Sequence, residues 1–256
     1  MERLIDRMMA MLVVFVLATG AVVVIDENPA AAAGTCGTQG NYFDGYYYDP
    51  DNWPGYSFEG ASGYIVVRDG VLCSGAGGIG NFSNAWLMIA GWNRTGAAWS
   101  QVGFERTSGF PLRWFSQHAW NNSTGDHLST RYSTFSIASE VGVRHTFRVL
   151  WNSACTCLQA IIDVTVWSNS DFNPFFSSGW GGLPFSPQFS GETGHLETDV
   201  PGRSGTRTAF TALGAQQYSN DALVPMPCAM NATTSSARWG RSASGCDAFS
   251  IWTATP

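Results

Sequence analysis

Beyond residue 33 the chain has no stretch with helical periodicity. Short runs rich in Val, Ile, Thr, Phe, Tyr and Trp alternate with Gly, Asn, Ser and Pro. Strand side chains point to two faces with period two, so runs of this kind bury their apolar face by packing sheet on sheet. The pattern predicts an all-β chain, an antiparallel β-sandwich or jelly roll with long disulfide-tied loops. Expected strands are Tyr64–Arg68, Ala85–Trp92, Trp99–Arg106, Leu112–Ala119, His127–Ser136, Val143–Asn152, Leu158–Trp167, Gln188–His195, Thr206–Ala212 and Ala248–Thr253. Residues 34–60 read as a loop-like arm over the sandwich, and residues 214–247 as a disulfide-tied excursion before the last strand. No linker divides residues 34–256, so a single domain is expected there.

The first 33 residues read as a targeting segment. Arg3 and Arg7 precede an apolar run from Met8 to Ile25, and Ala30-Ala31-Ala32-Ala33 follows. A basic start, an apolar centre and a small-residue exit make a secretory signal with cleavage expected after Ala33. A membrane anchor is the alternative for an apolar run of this length. The signal reading implies a secreted protein with no stable membrane span once the leader is removed. The formal net charge is −6, and all thirteen basic residues are arginine. Nucleic acid is therefore not an expected partner, since a basic footprint is missing.

Six cysteines, Cys36, Cys73, Cys155, Cys157, Cys228 and Cys246, follow the leader. An even count in an oxidising compartment reads as three disulfides. Nearness in sequence favours Cys36 with Cys73 and Cys228 with Cys246, leaving Cys155 and Cys157 for each other or for exchange with these. A Cys-x-Cys zinc half-site is the alternative, but no second Cys/His pair at ligand spacing accompanies it. No metal or cofactor is expected.

Alternation assigns faces. In the Trp99 strand, Trp99, Gln101, Gly103 and Glu105 share one side, against Ser100, Val102 and Phe104. In the preceding strand Trp86, Met88, Ala90 and Trp92 fall together. One face should thus carry tryptophans, a glutamine and carboxylates. In Leu158–Trp167 the wholly apolar set Leu158, Ala160, Ile162, Val164 and Val166 should point inward.

G-x-S-x-G and H-E-x-x-H are both absent. Carboxylates remain, concentrated between Ser190 and Asp199. Glu197 and Asp199 stand at a separation a glycosidase could use. The ordered series Trp86-Leu-Met-Ile-Ala-Gly-Trp92, Ser100-Gln-Val-Gly-Phe104, Trp114-Phe-Ser-Gln-His118, Gly125-Asp126, Gly191-Glu192 and Thr206–Thr211 resembles the glutamic peptidases called eqolisins. The likeness spans roughly residues 84–212 and implies a concanavalin-like β-sandwich. It matches Gln101 to the family's catalytic glutamine and Glu192 to its catalytic glutamate. Phe189-Ser-Gly precedes Glu192 where the family has W-I-V, and Gln117 or His118 stands for its second tryptophan.

The resemblance implies an acid-acting endopeptidase. Glu192 would be the base that activates water, and the Gln101 amide would stabilise the oxyanion. Trp92, Trp99, Glu105 and Trp114 are the expected substrate-binding residues, with an extracellular polypeptide as substrate. A non-enzymatic carbohydrate-binding sandwich is the other reading, in which tryptophans stack on an extracellular glycan. A cell-surface interaction protein is a third.

Overall fold

The computed structural model describes residues 34–51, 55–75, 77–78, 80–91, 98–122, 125–175, 180, 184–228 and 230–254. The leader expected over residues 1–33, and Trp92, lie outside them. The described chain is an all-β sandwich. Its strands are β1 (Gln39–Tyr47), β2 (Phe58–Val66), β3 (Phe82–Gly91), β4 (Trp99–Thr107), β5 (Arg113–Asn122), β6 (Gly125–Tyr132), β7 (Arg144–Asn152) and β8 (Cys157–Ile162). They continue with β9 (Thr165–Asn169), β10 (Phe185–His195), β11 (Gly202–Arg203), β12 (Thr206–Gln217), β13 (Leu223–Pro225), β14 (Asn231–Thr234), β15 (Trp239–Ala243) and β16 (Phe249–Thr253).

One layer runs β14–β1–β10–β3–β4–β5–β6. The other runs β9–β8–β7–β2–β12–β16–β15. Among the described residues a single register pair, Phe185 with Phe58, joins the two at β10 and β2. Phe189, Leu87 and Val102 form one cross-strand row of the first layer and are wholly buried. Ile65, Phe147, Val149, Ala160 and Phe210 of the second layer belong to the same core. Such aliphatic and aromatic interdigitation, at about 25 cal/mol per Å² of apolar area, is the main term holding sheet on sheet.

Three expectations are corrected. The arm over residues 34–60 contains a nine-residue strand, β1, paired with β10 on one side and β14 on the other. Gly45 permits this: a Cβ there would lie 2.1 Å from the Phe189 carbonyl oxygen. Leu158–Trp167 is two strands, not one. Asp163 takes a left-handed φ of 55° and turns the chain back, a conformation that Asp tolerates better than most residues. Its Oδ1 accepts the Thr146 amide at 2.9 Å, fixing the turn on β7. The inward set therefore ends at Ile162, and Val164 is 93% exposed. The excursion over 214–247 likewise holds the short strands β13, β14 and β15.

The cysteines join as Cys36–Cys73, Cys155–Cys157 and Cys228–Cys246. Cys36, Cys73 and His195 are the one cluster of potential metal ligands among the described residues, and both of its sulfurs are in a disulfide. No helix among the described residues is long and apolar enough to cross a membrane.

Candidate active site

The site is built from rows, because paired residues on adjacent strands share a face. Across β1, β10, β3, β4 and β5, one row reads Phe43, Glu192, Asn84, Glu105, Arg113. The next, two residues along, reads Gly45, Ser190, Trp86, Gly103, Phe115. The third reads Tyr47, Gln188, Met88, Gln101, Gln117. Glu192 and Gln101 therefore project from one face of the first layer, two strands and two rows apart. At strand spacings near 4.8 Å and a rise near 3.3 Å per residue, their backbones differ by about 10 Å across and about 13 Å along the sheet. Trp86 stands between them.

Glu192 is 7% exposed. Its Oε2 accepts the Trp86 indole N–H at 2.9 Å. Burial pushes its carboxyl from the usual range up to about 7, and the nearby Glu105 carboxylate adds to the rise; hydrogen bonds from Trp86 and Asn84 oppose it. Glu105 is itself buried and held on its own side. Its Oε1 accepts the Thr107 hydroxyl and, at 3.3 Å, an Arg113 N–H. The Arg113 guanidinium lies 3.6 Å from the Tyr132 ring centroid and 4.4 Å from that of Phe110, packing that fixes a cation by its face as well as its edge. Two carboxyls in one row are thus differentiated: one is paired with a cation, the other is desolvated and driven towards its protonated form.

Gln101 donates its Nε2 to Gln117 Oε1 at 2.6 Å. An amide NH2 has two donors, so one N–H remains for another acceptor. A pocket of about 290 Å³ opens beside this row, walled by Trp86 and Met88.

The other expected site residues divide. Trp99 is half-buried and lies on the Gln101 face, one row further, opposite Ala90 and Ala119. Glu105 lies in the row of Glu192. Trp114 faces the other way: it pairs with Phe104, packs against Phe147 with centroids 5.7 Å apart and belongs to the core. Its expected role in substrate binding is corrected, since a side chain of opposite parity cannot reach the Gln101 face. Glu197 and Asp199 do not form an open pair either. Glu197 accepts the Gly37 amide at 2.9 Å, and Asp199 is buried against Arg238 at 3.3 Å. Asn84, Trp86, Arg113 and Gln117 were not expected as site residues. Parity within β3 groups Trp86 with Met88, and within β4 Gln101 with Glu105; only the register puts these on one face and sets Asn84 and Arg113 beside the acids.

No known family model matches the chain, and no curated protein does. Solved structures do. Scytalido-glutamic peptidase bound to a transition-state analogue inhibitor aligns with a TM-score of 0.53 at 16% identity, over 84% of this chain and 98% of that one. SCP-B, a member of the eqolisin family of peptidases solved with the tripeptide Ala-Ile-His, aligns with a TM-score of 0.50, also at 16% identity and the same coverage. A glycoside hydrolase family 16 endo-glucanase from Bacteroides ovatus reaches only 0.37 at 11% identity, over 62% of this chain and 71% of that one. At these identities the likeness is one of fold: the chain has a β-sandwich similar to that of the eqolisin-type glutamic peptidases.

Proposed function

We propose that the chain is an exported endopeptidase whose catalytic base is Glu192, with Gln101 binding substrate on the same face in place of the expected Gln101/Glu192 pair, acting on extracellular polypeptide after a leader ending at Ala33 is removed, with residues 34–256 as one domain. The observation that carries this reading is the desolvated Glu192 carboxyl, bonded to Trp86 on the face from which Gln101 also projects. In its ionised form Glu192 takes a proton from a water attacking the scissile carbonyl and returns it to the leaving amine. Gln101 lies about 10 Å across and about 13 Å along the sheet from Glu192, too far to serve the same carbonyl, so its free N–H binds the polypeptide backbone further along that face. Because burial moves the Glu192 ionisation to about 7, the ionised base is expected only near neutrality and above, whereas an ordinary carboxylate would already supply it in acid.

Three disulfides and the leader support secretion. A glycan-binding surface has less support, because Trp114 is in the core and Trp99 is half-buried. The test is cleavage of denatured casein from pH 3 to pH 8 by the protein and by Glu192→Gln. Cleavage that falls at least a hundredfold in a folded Glu192→Gln supports Glu192 as the base. Equal cleavage by both proteins, or none by either, removes it.

A further inference from the structure

The outer face of the second layer carries a charge opposite to that of the chain as a whole. On β7, Phe147 and Val149 belong to the core, so Arg144, Thr146 and Arg148 point outward. Pairing sets these beside Val66, Tyr64 and Ser62 of β2. Val67 is in the core, so Arg68 extends the same outward series. On β16, Ile251 points inward and Trp252 outward, and the Arg207 guanidinium lies 3.9 Å from the Trp252 ring centroid. Arg68 donates Nε to the Arg207 carbonyl oxygen at 3.3 Å, which brings these two arginines together. Four arginines thus share one face of a chain whose formal net charge is −6. From the level of Ser62 to Arg68 they span about 20 Å.

These cations have no acid to answer them. Strands β2, β7, β12, β15 and β16 hold a single carboxylate, Glu59, and it is buried. At the margins Asp163 Oδ2 lies 2.9 Å from His145 Nδ1, and Asp69 is paired with Arg106. Among the described residues no ion pair includes Arg68, Arg144, Arg148 or Arg207. Their bonds go to backbone carbonyls and to the Ser242 hydroxyl, which leaves most of their five N–H donors each for a ligand.

We propose that this face binds an acidic polysaccharide through its carboxylate or sulfate groups. It holds the exported chain on an extracellular matrix, while Glu192 projects from the opposite side of the sandwich. Charge complementarity selects an anion, and guanidinium forks pair with oxyanions two N–H groups at a time. Other polyanions fit less well. The Tyr64 and Trp252 rings already carry Arg144 and Arg207 at 4.8 Å and 3.9 Å, so that face of each is closed to a nucleic-acid base. None of the exposed large apolar side chains among the described residues comes from β2, β7, β12, β15 or β16, so the face has nothing to insert into a bilayer. The binding is independent of the peptidase reading.

The test measures dissociation constants by fluorescence anisotropy for labelled oligomers of polygalacturonate, heparin and neutral dextran. At least one acidic oligomer should bind where dextran does not, and added salt should weaken that binding. The tighter of the two names the anion, carboxylate or sulfate. Arg68→Gln with Arg144→Gln should weaken binding about tenfold, and Arg148→Gln with Arg207→Gln by a similar factor, each in a protein shown to be folded by its thermal melt. Leu128→Glu with Thr130→Glu makes the same change of net charge on the exposed edge strand β6 of the other layer. It should leave binding within about twofold, since screened charges act locally. Binding of neither acidic oligomer overturns the proposal. So does equal binding by both arginine variants, or an equal loss in the β6 variant. Duplex DNA or phosphatidylglycerol vesicles that bind more tightly than either oligomer overturn it as well.

Discussion

Trp86 donates its indole N–H to Glu192 Oε2 at 2.9 Å across a sequence separation of 106 residues. The bond ties the central side chain of the site to a buried acid. Glu192 is thus held by a donor that favours its charged form, inside surroundings that disfavour it.

The pH dependence of cleavage follows from that balance. If the ionised carboxylate activates water, kcat/KM should fall about tenfold per pH unit below the Glu192 ionisation at about 7 and level off above it. A pH series of initial rates on a fluorogenic peptide checks this. A rate that stays flat from pH 5 to pH 8 would remove Glu192 as the base.

Trp86→Phe keeps the ring and deletes the donor. Losing a bond to the charged form raises the carboxyl further, so the acidic limb of the profile should move to higher pH. A hydrogen bond to a charged group contributes about 1.5–3 kcal/mol, and a loss of that size in urea unfolding is the companion measurement.

Glu105→Gln acts in the opposite direction on Glu192. Removing the neighbouring negative charge lowers the Glu192 ionisation, so the limb should move to lower pH. The cost appears elsewhere. Arg113, 8% exposed, loses its carboxylate, and an uncompensated buried charge destabilises by about 3–5 kcal/mol.

His118 should set the acid limit of stability. It is 1% exposed, with Nδ1 2.7 Å from Ser100 Oγ and Nε2 2.8 Å from Ser168 Oγ, a bridge between β5 and β9 of opposite layers. Burial lowers its ionisation to about 4. Its contribution is complete above the ordinary value of 6.5 and is lost as pH falls through 4, a span of about 3 kcal/mol. Asp44 and Glu192 oppose it. Burial raises them to about 6 and about 7, so their contribution is present below the ordinary carboxylate values and is lost as pH rises through those figures. Thermal melts at pH 4 and pH 7 should therefore differ less to the detriment of acid in His118→Gln than in the unaltered protein.

Ala212 offers a stability gain remote from the site. It is exposed, at the irregularity in the pairing of β12 with β2, with a left-handed φ of 48°. That conformation costs a non-glycine residue about 1–2 kcal/mol. Ala212→Gly is therefore expected to raise the melting temperature by about 2–4 °C with unchanged activity. A lower melting temperature would contradict the strain.

What the sequence determined by itself was local. Period-two alternation is a property of a single strand, so the β class and the grouping of Trp99, Gln101, Gly103 and Glu105 on one face were legible before any pairing was known. So were the six cysteines and the acids around Glu192. Register, burial and turn placement are not local, and the tertiary structure decided them. That Glu192 shares a row with Asn84, Glu105 and Arg113 depends on β10, β3, β4 and β5 aligning over about a hundred residues of chain. The polar run around Phe43 became a strand because β10 and β14 offered it partners on both sides. Trp114 went to the core because its parity opposes Gln101 in the paired register, a relation that neither strand contains alone. The raised ionisation of Glu192 comes from exclusion of water by side chains on its own face, and only the paired strands bring Phe43, Asn84 and Trp86 beside it.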